Sequence, residues 1–341
     1  MCYNKYMSLS VGIVGFPNVG KSTLFKTLTQ KQVDCANYAF CTIDPNVGVV
    51  FVPDKRVEKL SALFNPQKIT YSSIEFIDIA GLVEGASKGE GLGNRFLAHV
   101  RETDIIIYLL RAFEDSSVMS VHKEVDPLKE SELLDIEFIL KDLETVEKRL
   151  KAIKEPVFEV KTLQKAKSLL ERNEILSMQD LDEEEKKILN SYGLLTMKPR
   201  LYLLNGEAEF PREPFVSMNV IEEHESAGLT PQERVDLGLK RESKTDELIR
   251  KCYGMLDLIT FFTAGQSEVR AWKIRKGFKA PQAGGVIHTD FEKKFIKAEV
   301  INWEELISQG GVFQAKKNGV MRLEGKDYVV RDGDVIEIKH G

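Results

Sequence analysis

The sequence predicts an α/β fold with a mostly parallel sheet, broken by a helical hairpin and followed by a smaller β-rich unit. Three observations carry that expectation. Short apolar, β-branched runs alternate with amphipathic stretches through the first part of the chain, the pattern of a layered α/β protein. A charged segment with helical spacing then interrupts the alternation. The strand pattern resumes beyond it and ends in short aromatic and β-branched runs around turns.

"SVGIVG" (Ser10 to Gly15) reads as a buried strand entering a glycine turn, and "TLFKTLTQ" after it has helical spacing. "IEFIDIAG" and "DIIIYLLRAF" are further strands, the second apolar on both faces like an interior parallel strand. From Glu132 to Leu150, apolar residues recur at Ile136, Leu140, Leu143, Val146 and Leu150; after "KEP", Leu163, Ala166 and Leu170 repeat the spacing. Two such helices joined by a proline turn form a helical hairpin projecting from the sheet unit, with an ordinary pair of surface helices as the plainer reading. "RLYLLN" and "PFVSMN" restore the strand signal.

"LITFFTAG" and "EVRAWKI" form a hairpin, and a helical candidate follows with Ile287, Phe291 and Phe295. "DYVVRDGDVIEIK" reads as a second hairpin turning at "RDGD". Hairpin, helix and further strands suggest a compact ubiquitin-like β-grasp module. The expected division is therefore residues 8–125 and 198–256 for the sheet unit, 126–197 for the helical insertion and 257–341 for the last module.

A chain of 341 residues has room for two or three domains, and 43% hydrophobic with 30% charged residues is ordinary for a soluble protein. No apolar run is long enough to cross a bilayer, and "MCYNKYMSLS" lacks the layout of a secretion signal; the expectation is a cytoplasmic protein without a membrane partner. Cys2, Cys35, Cys41 and Cys252 show neither CxxC spacing nor neighbouring histidines, so they read as incidental reduced thiols. The net charge of -5 argues against a coat for nonspecific nucleic-acid binding. One local basic stretch stands out: Arg270, Lys273, Arg275, Lys276, Lys279, Lys293, Lys294 and Lys297, against three acids between Glu268 and Lys297. It can face nucleic-acid phosphates or be a solvated face of the small module.

"GFPNVGKS" (Gly15 to Ser22) fits G-x-x-x-x-G-K-S and lies between a strand and a helix, as a phosphate loop requires. Successive backbone N–H groups wrap phosphates, Lys21 reaches the β and γ oxygens, and the Ser22 hydroxyl serves Mg2+. Gly15 and Gly20 let the backbone turn and approach closely. The expected nucleotide-binding set is Gly15, Asn18, Val19, Gly20, Lys21, Ser22, Thr23 and Asn205. In "DIAG", Asp78 holds a water on Mg2+ and Gly81 offers its N–H to the γ-phosphate. Thr42, between the first helix and the next strand, is the second hydroxyl for the metal. Five glycines from Gly81 to Gly93 make the segment after Asp78 a candidate switch that orders around a terminal phosphate.

For catalysis the expected residues are Lys21, Asn18 and Gly81. Many switch GTPases place a water-orienting glutamine immediately after DxxG; here Leu82 can neither donate nor accept. Asn18 can ligate a monovalent cation beside the phosphates, which makes K+ dependence a hypothesis. His99 reads as a helix-surface residue.

"LYLLNGEAEF" (Leu201 to Phe210) bears on the base. A guanine-specific site needs Asn-Lys-x-Asp, whose carboxylate accepts from guanine N1–H and the exocyclic amine; adenine presents the opposite pattern. Here Gly206, Glu207 and Ala208 follow Asn205. Asn205 can bond purine nitrogens, brace the phosphate loop, or simply be a turn asparagine.

"GFPNVGKSTLF", "NYAFCTIDPNVGVV", "DIAGLVEGASKGEGLGNRFLAHVRETD", "FFTAGQSEVRAWKIRKGFKAPQAGGVIHTDFEKKFI" and "DYVVRDGD" together resemble the YchF-type, Obg-like ATPases over essentially the whole chain. The resemblance implies a P-loop G domain interrupted by a coiled-coil insertion, a C-terminal TGS domain of β-grasp type, and Mg2+-dependent hydrolysis of ATP in preference to GTP. It also implies ribosome binding, through rRNA and the coiled-coil and TGS surfaces, and links to translation and stress responses. The family's N-x-x-E has Ala208 at its fourth position here, flanked by Glu207 and Glu209. A histidine proposed as catalytic in some members is matched by Tyr108. A GTP-hydrolysing translation factor and a nucleotide-stabilised ribosome- or RNA-binding adaptor are the rival readings.

Overall fold

A computed structural model gives the fold, and it describes residues 9–30, 46–79, 92–114, 125–153 and 155–341. Thr42, Gly81, Leu82, Cys2, Cys35, Cys41 and most of the glycine-rich segment lie outside these residues.

The first part comprises β1 (Ser10–Val14), α1 (Lys21–Thr29), β2 (Val47–Phe51), α2 (Lys55–Phe64), β3 (Lys68–Thr70), β4 (Ser73–Asp78), α3 (Leu92–Glu102) and β5 (Ile105–Arg111). A helical segment follows, with α4 (Pro127–Ala152), α5 (Val157–Glu171) and α6 (Glu183–Ser191). The chain returns through β6 (Arg200–Asn205), β7 (Phe215–Met218), α7 (Val220–Glu225), α8 (Pro231–Asp236) and α9 (Lys244–Met255). It ends with β8 (Leu258–Ala264), β9 (Glu268–Arg275), α10 (Ala280–Ile287), α11 (Thr289–Lys293), β10 (Phe295–Asn302), α12 (Trp303–Ser308), α13 (Val312–Lys317), β11 (Arg322–Glu324) and β12 (Asp334–His340). No helix among the described residues is long and apolar enough to cross a membrane.

The first sheet has the order β2-β4-β1-β5-β6-β7, parallel except where β2 meets β4. Every residue of β1, β5 and β6 is buried, which explains why these strands read as continuous apolar runs rather than alternating ones. Each fully buried aliphatic or aromatic side chain there contributes about 1.5–3 kcal/mol of hydrophobic stabilisation.

Helix α4 starts on this sheet and leaves it. Asp126 caps its N-terminus by accepting from Lys129 N, with Pro127 in the first turn. Leu134 and Phe138 join the sheet's core, whereas Ile139 and Val146 join a separate core with Leu163, Ala166, Leu170 and Leu189 of α5 and α6. The buried stripe differs from the apolar one expected. Ile136 and Leu140 are 41% and 42% exposed, while Asp135 and Asp142 are buried. Hydrogen bonds turn the helix that way: Asp142 accepts from Leu195 N, Thr196 N and Thr196 Oγ1, and Asp135 accepts from Tyr108 Oη and Arg200 Nη1.

The second sheet has the order β11-β10-β12-β8-β9-β3. The β8–β9 hairpin forms as expected. "RDGD" is a turn but not the turn of a hairpin: it leads into β12, which lies between β10 and β8, and Val329 before it makes a single bridge to Lys279. The helix expected through Ile287, Phe291 and Phe295 is also divided. His288 is extended and accepts from Asp290 N to restart the helix, and Phe295 opens β10.

One face of this sheet lies under α10, with Phe261, Ile274, Ala283, Val300 and Ile336 in its core. The other face is covered by α12, α13 and also α2, whose Val57 and Leu60 pack with Phe262, Ile301 and Val335. Strand β3 pairs parallel with β9 at the edge. A segment from the first part of the chain is thus built into the last.

Candidate nucleotide site

The C-terminal ends of β1, β5 and β6 converge on the loop from Gly15 to Ser22. Gly15 lies against β5 so closely that a Cβ there would fall 2.4 Å from the Leu109 carbonyl oxygen. Phe16 and Val19 turn into the core, and Pro17 and Asn18 face solvent. Asn18 and Gly20 are left-handed, with φ of 64° and 105°. Unlike α2 and α4, helix α1 has no side chain accepting at its N-terminus. A helix N-terminus without a side-chain cap is the arrangement that can accept an anion.

Lys21 folds over the loop, its Nζ donating to the Gly15 and Phe16 carbonyls at 2.9 and 3.1 Å. Burial lowers its ammonium pKa below the usual value, and the Asp78 carboxylate opposes that. Burial likewise raises the Asp78 carboxyl, with Lys21 opposing. Asp78 ends β4, where its backbone N–H donates to the Asn46 carbonyl, and Ser22 is exposed at the start of α1. The described part of the expected set is therefore gathered at one end of the sheet: Asn18, Lys21, Ser22 and Thr23 on or beside the loop, and Asp78 across from Lys21.

Asn205 takes a brace position. Its Nδ2 donates to the Val19 carbonyl at 3.0 Å and its Oδ1 accepts from Val220 N at 3.1 Å. The loop after it is held as tightly. The Gly206 carbonyl accepts from Ser217 Oγ, which itself accepts from Ala208 N, and a Cβ on Gly206 would meet the Ala112 carbonyl oxygen at 2.3 Å. Ala208 packs against the core, and Glu207 and Glu209 are both exposed.

Tyr108 belongs to a buried network rather than to the loop. Its Oη donates to Asp135 Oδ1 at 3.0 Å, and the same carboxylate receives Arg200 at 2.6 Å and Arg212 at 2.7 Å. His99 is exposed on α3, and Cys252 is a buried free thiol whose pKa burial raises.

Sequence reading missed the Asp135 network and Glu130 beside the end of β5. Glu130 accepts from Arg111 N at 3.0 Å, and burial pushes its carboxyl up to about 7 against the opposing Arg111 bond and charge. A charged residue at a helical position otherwise reads as solvated, so no sequence signal marks these groups.

The basic stretch does not form one face. Lys273 is half-buried where the two sheets meet and donates to the Ser73 carbonyl, and Lys279 pairs with Asp327. Arg275 lies opposite Leu258 and Phe295 opposite His340, which puts Arg275 and Lys276 at one end of the second sheet and Lys293, Lys294 and Lys297 toward the other. These ends are roughly 30 Å apart at strand rise.

A G-x-x-x-x-G-K-S loop between β1 and α1, with Asp78 ending β4 and Asn205 ending β6 beside it, marks a P-loop nucleoside triphosphatase fold with a helical insertion and a second, C-terminal β-sheet unit. Residues 10–144 match a family model described as 50S ribosome-binding GTPase, and residues 258–341 match the C-terminal model of YchF-type GTPases, described as a protein of unknown function. The chain is 45% identical over 364 residues to the ribosome-binding ATPase YchF of Bacillus subtilis (strain 168), covering 98% of this chain and 99% of the relative. It is 43% identical over 361 residues to the protein of the same name from Haemophilus influenzae, covering 98% and 99%. The solved structure of the Schizosaccharomyces pombe YchF GTPase matches with a TM-score of 0.85 at 36% identity, over 97% of this chain and 98% of that one. The chain belongs to the YchF family.

Proposed function

We propose that this protein binds a purine triphosphate with Mg2+ in the loop from Gly15 to Ser22, prefers ATP to GTP, and hydrolyses it slowly as a switch acting on the ribosome. The observation that carries the base preference is the loop after β6. Ala208 stands where a guanine-reading carboxylate would be needed, and it faces the core. Asn205 serves either purine, because its remaining N–H can reach the N7 that both bases share.

Ser22 and Asp78, with Thr42, would hold the metal, Asp78 through water; bound Mg2+ supplies charge neutralisation on the terminal phosphates. The exposed Ser22 hydroxyl and the Asp78 carboxyl, close enough to Lys21 to feel its charge, suit that role. Lys21 and the Gly81 N–H would stabilise phosphate charge, and Asn18 would hold a K+ if the reaction depends on one, which would add positive charge beside the phosphates. The C-terminal unit is a TGS module of β-grasp type, and α4 with α5 forms a coiled-coil-like arm; these surfaces meet the ribosome. The B. subtilis and H. influenzae relatives are named ribosome-binding ATPases, which supports both the partner and the nucleotide. The S. pombe relative is named a GTPase, so GTP is the rival substrate.

Competition decides between them. Unlabelled ATP should displace bound labelled ATP at a concentration at least tenfold below that needed for GTP, with Mg2+ fixed; equal potency removes the adenine reading. Cosedimentation with ribosomes should depend on whether ADP or a nonhydrolysable ATP analogue is present. Charge reversal at Arg275 and Lys276, and separately at Lys293 and Lys294, tells which end of the second sheet meets rRNA.

A further inference from the structure

β2 and β4 are antiparallel neighbours, paired from Val47–Ile77 to Phe51–Ser73, so a short turn would suffice to join them. The chain instead leaves the first sheet after Phe51, lays α2 and β3 on the second sheet, and returns at Ser73. Contacts along its whole length fasten the excursion. Arg56 reaches Asp332 at 2.6 Å with its guanidinium over the Phe262 ring. Lys59 lies over the Trp303 ring, and Gln67 N donates to the Gln266 carbonyl at 3.0 Å. Thr70 Oγ1 donates to Glu268 at 2.6 Å. Lys273 of β9 sends its ammonium to the carbonyl of Ser73.

That last contact is the informative one. The half-buried ammonium has given up part of its hydration and takes the Ser73 carbonyl in exchange, so Lys273 and the start of β4 are held together. Strand β4 runs from Ser73 to Asp78 without interruption, paired on both sides with β1 and β2. A displacement of Asp78 along the strand therefore arrives at Ser73 and at the second sheet.

We infer that Lys273 is a positioning residue for the strand that carries Asp78, and that the β2–β4 excursion makes the second sheet respond to the phosphate state of the nucleotide site. This rests on the nucleotide-site reading above.

Hydrogen–deuterium exchange on the full chain tests it, with protein alone, with Mg2+–ADP and with a Mg2+-bound nonhydrolysable ATP analogue. Both nucleotides should protect residues 15–22. The analogue should in addition change exchange severalfold at residues 68–70 and 266–270, and ADP should not. In Lys273→Met the loop protection should persist while the remote response is lost, and Lys273→Arg should restore it. Thr70→Val, which cuts a different fastening, should weaken the same response and serves if Lys273→Met does not fold. Protection of residues 15–22 with no analogue-specific change at 68–70 and 266–270 overturns the inference and leaves the nucleotide site standing. A full remote response in Lys273→Met also overturns it. No protection at 15–22 by either nucleotide removes the site and the inference together.

Discussion

Asn205 Nδ2 lies 3.0 Å from the Val19 carbonyl oxygen, so the residue that ends β6 holds the loop between β1 and α1 in shape. The brace is buried and two-sided, since the same side chain accepts from Val220 N. Asn205→Ala leaves one acceptor and one donor without partners, at about 1–3 kcal/mol each. Affinity for ATP and ADP should fall together by at least tenfold in calorimetry, with the ATP-to-GTP ratio little changed. A selective loss of one base would assign Asn205 to base discrimination instead.

Gly20 is left-handed, and a Cβ there would fall 2.6 Å from Asn205 Nδ2. Gly20→Ala combines backbone strain with a collision against the brace, and should cost roughly 1–3 kcal/mol of stability. Thermal unfolding without nucleotide reads that cost; nucleotide-induced stabilisation should be nearly abolished.

Tyr108 donates to Asp135 in a network at the root of the helical insertion. Tyr108→Phe removes two buried hydrogen bonds, one donated to Asp135 and one accepted from Arg200, about 1 kcal/mol each, and should leave the hydrolysis rate within about twofold of the parent. A rate loss of tenfold or more in folded protein would return Tyr108 to the chemistry. Asp135→Ala should be far more damaging, about 3–5 kcal/mol, because it strands the buried Arg200 guanidinium.

Glu130 gives the protein a pH dependence with a definite sign. Its folded-state carboxyl titrates at about 7, above the ordinary 4.5, so the folded chain binds the extra proton between those values. Stability from this group is therefore greatest at low pH and declines as pH rises from about 4.5 through 7. Glu130→Gln keeps an acceptor for Arg111 N and carries no charge. It should stabilise the protein by roughly 1–3 kcal/mol at pH 8 and by little at pH 5, read from denaturant midpoints.

The phosphate loop, β1, β5 and β6 are legible in the sequence because their signals are local: a fixed glycine and lysine spacing, and runs that are apolar on both faces. The departures come from pairing partners distant in the chain. "RDGD" has turn chemistry, but whether the next strand folds back on the previous one is decided by β10 and β8, which take both edges of β12. Ile136 and Leu140 read as core, yet Asp135 and Asp142 take the buried positions because Arg200 and Thr196 meet them there. Lys273 looks like one more surface charge until the fold sets it against Ser73. Asn205 could be picked out from its neighbours, but its hold on the loop depends on the fold that brings the Val19 carbonyl beside it.

Strand β3 also has a bearing on how the chain can be divided. It hides the backbone donors and acceptors along one margin of β9, and α2 seals apolar surface on Phe262 and Val335. A fragment beginning at Leu258 would carry that raw margin and bare patch into water, where another copy could add onto it. The last sheet is thus a poor candidate for life as a separate piece: its missing strand is kept some two hundred residues upstream, between Lys68 and Thr70.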